Sequence, residues 1–208
     1  MTPKRSLLVG ALAFLIFVGA LVVLGGFWPG GEAPRLASVA IGGPFTLVRG
    51  DGATVTDKTY IDKWQLIYFG YTMCPDACPT ALNEIAGALQ ELGPLADKVQ
   101  PIFITIDPDR DTPQVMAKYV KAFDPRIVGL SGTPTQIAAA AHLYRVYYAK
   151  VADKDAPDGY LMDHSSIIYV MRPGDDRFVA TFTHETTSDE MAERLRKFIG
   201  SYAEGRTS

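Results

Sequence analysis

Two apolar runs constrain this chain more than anything else in it: Gln65 to Tyr71 (QLIYFGY) and Val99 to Ile106 (VQPIFITI). Neither alternates apolar with polar, as a half-buried strand would. Runs of this kind suit strands covered on both faces, as in a parallel sheet. Parallel neighbours need a crossover, usually a helix, and one is available. After Pro79, residues Leu82, Ile85, Leu89 and Leu92 recur at helical spacing until Gly93-Pro94 stops the pattern. Pro79 suits the first helical position, which makes Cys78 the expected N-cap.

The rest of the chain extends this theme. Phe45 to Val48, Gly50-Asp51-Gly52 and Ala53 to Thr56 read as a hairpin with a Gly-rich turn. After Val99 to Ile106 comes Asp107-Pro108-Asp109-Arg110-Asp111, then a helix begun by Thr112-Pro113 with Val115, Met116, Tyr119, Val120 and Phe123 turned inward. Ile127 to Leu130 is a short strand. Thr133-Pro134-Thr135-Gln136 supplies an N-cap, a first-turn proline and a capping-box glutamine for a helix reaching about Val146. Lys150 to Gly159 is polar and reads as a loop. Ser166 to Met171 and Phe178 to Phe182 are strands joined by a turn at Pro173-Gly174-Asp175. Thr187-Ser188-Asp189-Glu190 boxes a last helix bearing Met191, Leu195, Phe198, Ile199 and Tyr202. Alternating strands and helices followed by a closing antiparallel hairpin and helix predict an α/β, thioredoxin-like fold, with a central mixed sheet flanked by helices.

The first residues are of another kind. Lys4 and Arg5 precede an uncharged run from Ser6 to Gly31 whose core, Leu7 to Phe27, is long enough to cross a bilayer. Trp28 would sit at the far interface, and Pro29-Gly30-Gly31 would end the helix. Signal-peptide cores are shorter, and no A-x-A site follows this one. The expectation is an uncleaved anchor over 1–29, a linker over 30–40 and a folded domain over 41–208. The basic residues place the N-terminus in the cytoplasm and the domain outside. Absence of a transit-like leader favours a bacterial inner membrane with the domain in the periplasm. Beyond the anchor, 18 basic residues face 23 acidic ones, with no basic run or stripe, which argues against nucleic-acid binding. With 48% hydrophobic and 21% charged residues, the composition is that of a globular domain able to bury a core without staples.

The chain has only two cysteines, Cys74 and Cys78, three residues apart and directly after the first apolar run. A disulfide between them would close almost no loop and stabilise little, so chemistry explains the pair better than stability. Carboxyl ends of strands in an open α/β sheet are where ligands bind. A helix N-terminus lowers a thiol's pKa, favouring the thiolate that binds metal or attacks disulfides. Both uses are open on these grounds. The spacing is C-x-x-x-C, one residue more than a thioredoxin-type C-x-x-C, and Met73 stands where those proteins usually have Trp. Two thiolates with one imidazole form a soft set suited to copper. A structural zinc site would want a fourth protein ligand. Of the three histidines, His142 falls on a helix surface and His184 in a loop. His164, in Met162-Asp163-His164-Ser165-Ser166, begins an apolar strand on the side facing the cysteine loop.

Three blocks carry a resemblance to a known family. Tyr71-Thr72-Met73-Cys74-Pro75-Asp76-Ala77-Cys78-Pro79-Thr80 resembles the copper motif of the Sco/SenC proteins, Ile106 to Pro113 (IDPDRDTP) their second block, and Asp163-His164-Ser165 their third. They occur in family order, and the likeness covers nearly all of 41–208. It implies a thioredoxin-like copper protein with Cys74, Cys78 and His164 as ligands. It also implies a metallochaperone role, building the binuclear copper centre in subunit II of cytochrome c oxidase, with another copper protein as a candidate donor. Two alternatives stay open. One is a thiol–disulfide reductase cycling Cys74 and Cys78 between dithiol and disulfide, served by a thioredoxin-like reductant. The other is a copper-linked redox sensor. Asp107, ending a central strand, and Asp163, beside the imidazole, are candidates for outer partners of the metal. Tyr71, Met73 and Met162 read as packing residues.

Overall fold

In a computed structural model, residues 40–205 are described except for 176, together with helical residues 14, 16, 17, 19 and 20. The expected anchor over 1–29 and linker over 30–40 therefore lie almost wholly outside the described residues. Among those that are described, no helix is long and apolar enough to cross a membrane.

The order is β1 (Thr46–Arg49), β2 (Thr54–Thr56), β3 (Trp64–Gly70), α1 (Ala77–Leu92), a 3-10 turn (Gly93–Lys98), β4 (Val99–Thr105), α2 (Pro113–Lys121), β5 (Val128–Ser131), α3 (Pro134–Leu143), β6 (Tyr148–Ala152), a second 3-10 turn (Pro157–Gly159), β7 (Tyr160–His164), β8 (Ile167–Arg172), β9 (Arg177–Thr183) and α4 (Ser188–Gly205). Seven strands form one sheet in the order β2-β1-β5-β4-β3-β8-β9. β3, β4 and β5 run parallel, and β8, β9, β1 and β2 add antiparallel wings. The expected mixed, thioredoxin-like sheet is thus present. Every residue of β3 and β4 is buried, as their unbroken apolar sequences require. α1 packs on α4, and α2 packs on β5 and β1.

The helical faces follow the sequence periodicity. Leu82, Ile85, Leu89 and Leu92 are buried on α1, and Met191, Leu195 and Ile199 on α4. Val115 departs from the expectation: it sits in the exposed first turn of α2, and Met116 and Val120 carry the contact. The Thr133 capping box is present with both of its hydrogen bonds. α3 ends at Leu143, short of the expected Val146, because Arg145 takes the left-handed conformation (φ 58°). The Val146 N–H then donates to the Ala141 carbonyl at 2.9 Å and the Arg145 N–H to His142 at 3.1 Å, the two bonds of a Schellman end with Arg in the place usually held by Gly.

The largest departure lies in the expected loop Lys150 to Gly159. Its first residues belong to β6, which pairs antiparallel with β7 in a separate two-stranded ribbon, Tyr148 opposite His164. β6 is mostly exposed and carries no apolar alternation. Its pairing, rather than its composition, makes it a strand. His164 accordingly ends β7 and does not begin the following strand.

Candidate metal centre

The cysteines are presented by the turn that leaves β3. Its close packing explains Gly70 at the strand end: a Cβ there would lie 2.6 Å from Cys78 Sγ and 2.7 Å from a Phe103 ring carbon. The chain turns with the Cys74 N–H donating to the Tyr71 carbonyl at 3.3 Å. α1 begins at Ala77, with Asp76 at the N-cap making no side-chain cap bond. Cys78 is therefore not the N-cap but lies inside the first turn, where its backbone N–H has no partner within the helix. That N–H donates to Cys74 Sγ at 3.3 Å.

His164 reaches this point from the ribbon. Its Nε2 lies 3.6 Å from Cys78 Sγ, and its ring meets Tyr71 edge to face at 5.9 Å. The other ring nitrogen, Nδ1, is 3.1 Å from the Ser165 carbonyl oxygen. A carbonyl can only accept, so the proton belongs on Nδ1 and Nε2 keeps its lone pair toward the sulfurs. One donor atom from each of Cys74, Cys78 and His164 lies within 4.8 Å of the other two. The 3.6 Å between Cys78 Sγ and His164 Nε2 is short enough for one ion to be held by both.

Both cysteines are unbonded thiols, Cys74 half-buried and Cys78 buried. Their acidities diverge. Hydrogen bonding from Cys78, joined by the backbone of Asp76 and Cys78, lowers Cys74 to about 4 against the opposing effect of burial. Burial pushes Cys78 well above the ordinary thiol range, and the neighbouring Cys74 adds to this. The pair thus loses its first proton easily and its second with difficulty. The Tyr68 hydroxyl, itself raised by burial, points to Cys78 Sγ at 3.8 Å.

Asp163 is exposed. Neighbouring strand residues point to opposite faces, which separates its carboxylate from the imidazole beside it. The Ser165 carbonyl holds Nδ1 in its place. Asp107 is buried, but its carboxylate accepts from Arg110 Nε at 2.5 Å and from the Tyr160 hydroxyl at 3.0 Å rather than from a residue of the centre. Tyr71 and Met162 are buried packing residues as expected, whereas Met73 is exposed. His142 lies on the exposed surface of α3, and His184 in the turn after β9.

Asp111 has no mark in the sequence that separates it from an ordinary loop carboxylate. It is fully buried and accepts from Thr72 N at 3.0 Å, Thr72 Oγ1 at 2.5 Å and Thr105 Oγ1 at 2.7 Å. Burial raises its pKa while these donors lower it. It pins the residue two positions before Cys74. Thr105, a hydroxyl inside the apolar run just before this loop, was the available signal, since a buried hydroxyl needs a partner.

The SCO1/SenC family model matches residues 34–200. ScoI of Bradyrhizobium japonicum with copper bound is 50% identical, with TM-score 0.70, over 76% of this chain and 99% of that one. ScoI of Arabidopsis thaliana with copper bound is 42% identical, with TM-score 0.73, over 78% and 100%. The mitochondrial SCO1 homolog 1 of A. thaliana is 41% identical over 82% of this chain and 51% of its own length. The chain thus spans about half the length of such curated relatives.

Proposed function

Because the chain belongs to the SCO1/SenC family, we propose that it is a copper metallochaperone holding one copper ion through Cys74, Cys78 and His164. One observation carries this reading: two cysteine sulfurs and an imidazole nitrogen from distant parts of the sequence converge within 4.8 Å with the nitrogen's lone pair facing inward. Two thiols with one imidazole suit copper, and the two ScoI relatives carry copper. The ion is cargo. It would pass by ligand exchange to the binuclear copper centre in subunit II of cytochrome c oxidase, after delivery by another copper protein. The half-buried Cys74 is the exposed end of the site and the sulfur best placed to meet a partner's ligand. The apolar run Leu7 to Phe27 behind Lys4 and Arg5 supports a single-span anchor, with the domain on the periplasmic side of a bacterial inner membrane.

The split acidities favour a second reading, a thiol–disulfide reductase. The Cys74 thiolate would attack an acceptor disulfide and release one acceptor thiolate. Cys78, deprotonated as it reacts, would then attack Cys74 Sγ and release the other sulfur. Two electrons pass to the acceptor and a Cys74–Cys78 disulfide remains, which a thioredoxin-like dithiol must reduce. His164 separates the readings. A carrier whose His164→Ala variant holds little copper should fail to assemble the oxidase at ordinary copper supply and recover with excess copper. Full assembly by a variant that binds no copper would leave only the reductase.

A further inference from the structure

The ribbon bearing His164 shares no strand pairing with the main sheet that presents the cysteines. No backbone ladder therefore sets the distance between the two halves of the centre. At one end the ribbon is tied through Ser165 and Ser166 to β8. At the other end, Tyr160 opens β7 against the loop between β4 and α2. There the buried Asp107 carboxylate accepts from the Tyr160 hydroxyl at 3.0 and 3.2 Å and from Arg110 Nε at 2.5 Å. Arg110 Nη1 donates to the Tyr160 carbonyl at 3.2 Å. The guanidinium lies over the Tyr160 ring at 3.8 Å and over the Tyr71 ring at 5.8 Å, and Tyr71 meets His164. Lys150 Nζ, on β6, lies over the Tyr160 ring at 4.6 Å and pairs with Asp109 at 2.7 Å. Four residues after Asp107, Asp111 grips Thr72 at the root of the cysteine turn.

We propose that this five-residue loop is a bracket that sets the thiol–imidazole separation: Asp107 and Arg110 are positioning residues for His164 through Tyr160, and Asp111 is the positioning residue for the cysteine turn. None of the three need touch the ion. A lone surface ion pair such as Lys150–Asp109 contributes little. Asp107 and Arg110 differ, since both are largely buried and the Arg fork makes hydrogen bonds in two directions. Removing the Tyr160 hydroxyl leaves the ring, the backbone carbonyl bond and the charge pair in place but takes from the ribbon's far end its hydrogen bond to Asp107.

The test has one arm without metal and one with it, the second resting on the copper reading. Tyr160→Phe and Asp107→Asn are compared with the full wild-type chain. In the metal-free protein, amide exchange at Leu161, Met162 and Asp163 should quicken by about tenfold or more while β3 and β4 amides keep their protection. Unchanged ribbon protection in both variants overturns the bracket. In the second arm, copper(I) affinity should fall about 10- to 100-fold, the range for outer partners of metal ligands. It should fall no further when either change is added to His164→Ala, because the bracket acts through that residue. Asp111→Asn, acting on the cysteine side, should weaken the His164→Ala protein further. Additive losses for Tyr160→Phe and His164→Ala overturn the assignment. A wild type that takes up no copper overturns the carrier reading instead, and the exchange arm still decides the bracket.

Discussion

Cys78 Sγ and His164 Nε2 stand 3.6 Å apart although 86 residues separate them in the chain. The cysteine belongs to the first turn of a helix rooted in the central sheet, and the histidine to the last residue of a ribbon outside that sheet. In the proposed function, copper holding depends on keeping those two elements in register.

Metal content follows most directly. The purified protein should hold one copper per chain, and Cys74→Ser or Cys78→Ser should retain little. His164→Ala should lose at least about 100-fold in affinity, beyond the range for outer partners. Elemental analysis after copper and zinc are offered together checks this. Equal or preferred retention of zinc contradicts the copper assignment.

The thiols should differ in their response to pH. Cys74 is lowered to about 4, so it is a thiolate above that value and gains little nucleophilicity between pH 6 and 9. Its alkylation rate should be nearly flat there and should fall as pH drops through about 4 to 5. Cys78, raised by burial, should react slowly throughout. Copper should protect Cys74. Mass-resolved alkylation of the metal-free protein measures all three. A Cys74 rate that climbs tenfold per unit up to pH 8 contradicts the depressed pKa.

Gly70→Ala should disturb the centre from beneath. Its Cβ would press on Cys78 Sγ at 2.6 Å and on Phe103 at 2.7 Å. Overpacking of this kind costs about 1–3 kcal/mol, read as a lower urea midpoint, and copper affinity should fall with it. Wild-type stability together with wild-type affinity would show that the strand end has room the packing denies.

Thr133→Ala provides the contrasting case. It removes the capping box of α3 and should cost about 1 kcal/mol. α3 supplies no ligand, so copper stoichiometry should stay at one. Loss of copper at retained fold would tie α3 to the centre in a way its position does not suggest.

The proposed topology can be read with a reporter fused after Ser208. An enzyme active only outside the cytoplasm should work in that position if, as proposed, Lys4 and Arg5 keep the N-terminus inside. Activity confined to a cytoplasmic reporter would reverse the orientation.

Much of this protein was legible in its sequence because the determining interactions are local or periodic. The continuous apolar runs at 65–71 and 99–106 require burial on both faces, and a parallel sheet supplies it. Leu82, Ile85, Leu89 and Leu92 mark one helix face, and Thr133 to Gln136 close their own capping box. Cys74 and Cys78 announce themselves by being the only cysteines, placed where a strand gives way to a helix. Tertiary structure decided the rest, where pairing between distant segments outweighs local preference. β6 is mostly exposed and lacks apolar alternation, and is a strand only because β7 lies beside it. That pairing moved His164 from a strand's start to a ribbon's end and turned Asp163 outward. The Ser165 carbonyl, which no side-chain pattern reveals, sets the imidazole tautomer. Asp107 and Asp111 look alike in the sequence as loop carboxylates. Folding buries both, and a buried carboxylate must find donors: Asp107 finds Arg110 and Tyr160, and Asp111 finds Thr72 and Thr105.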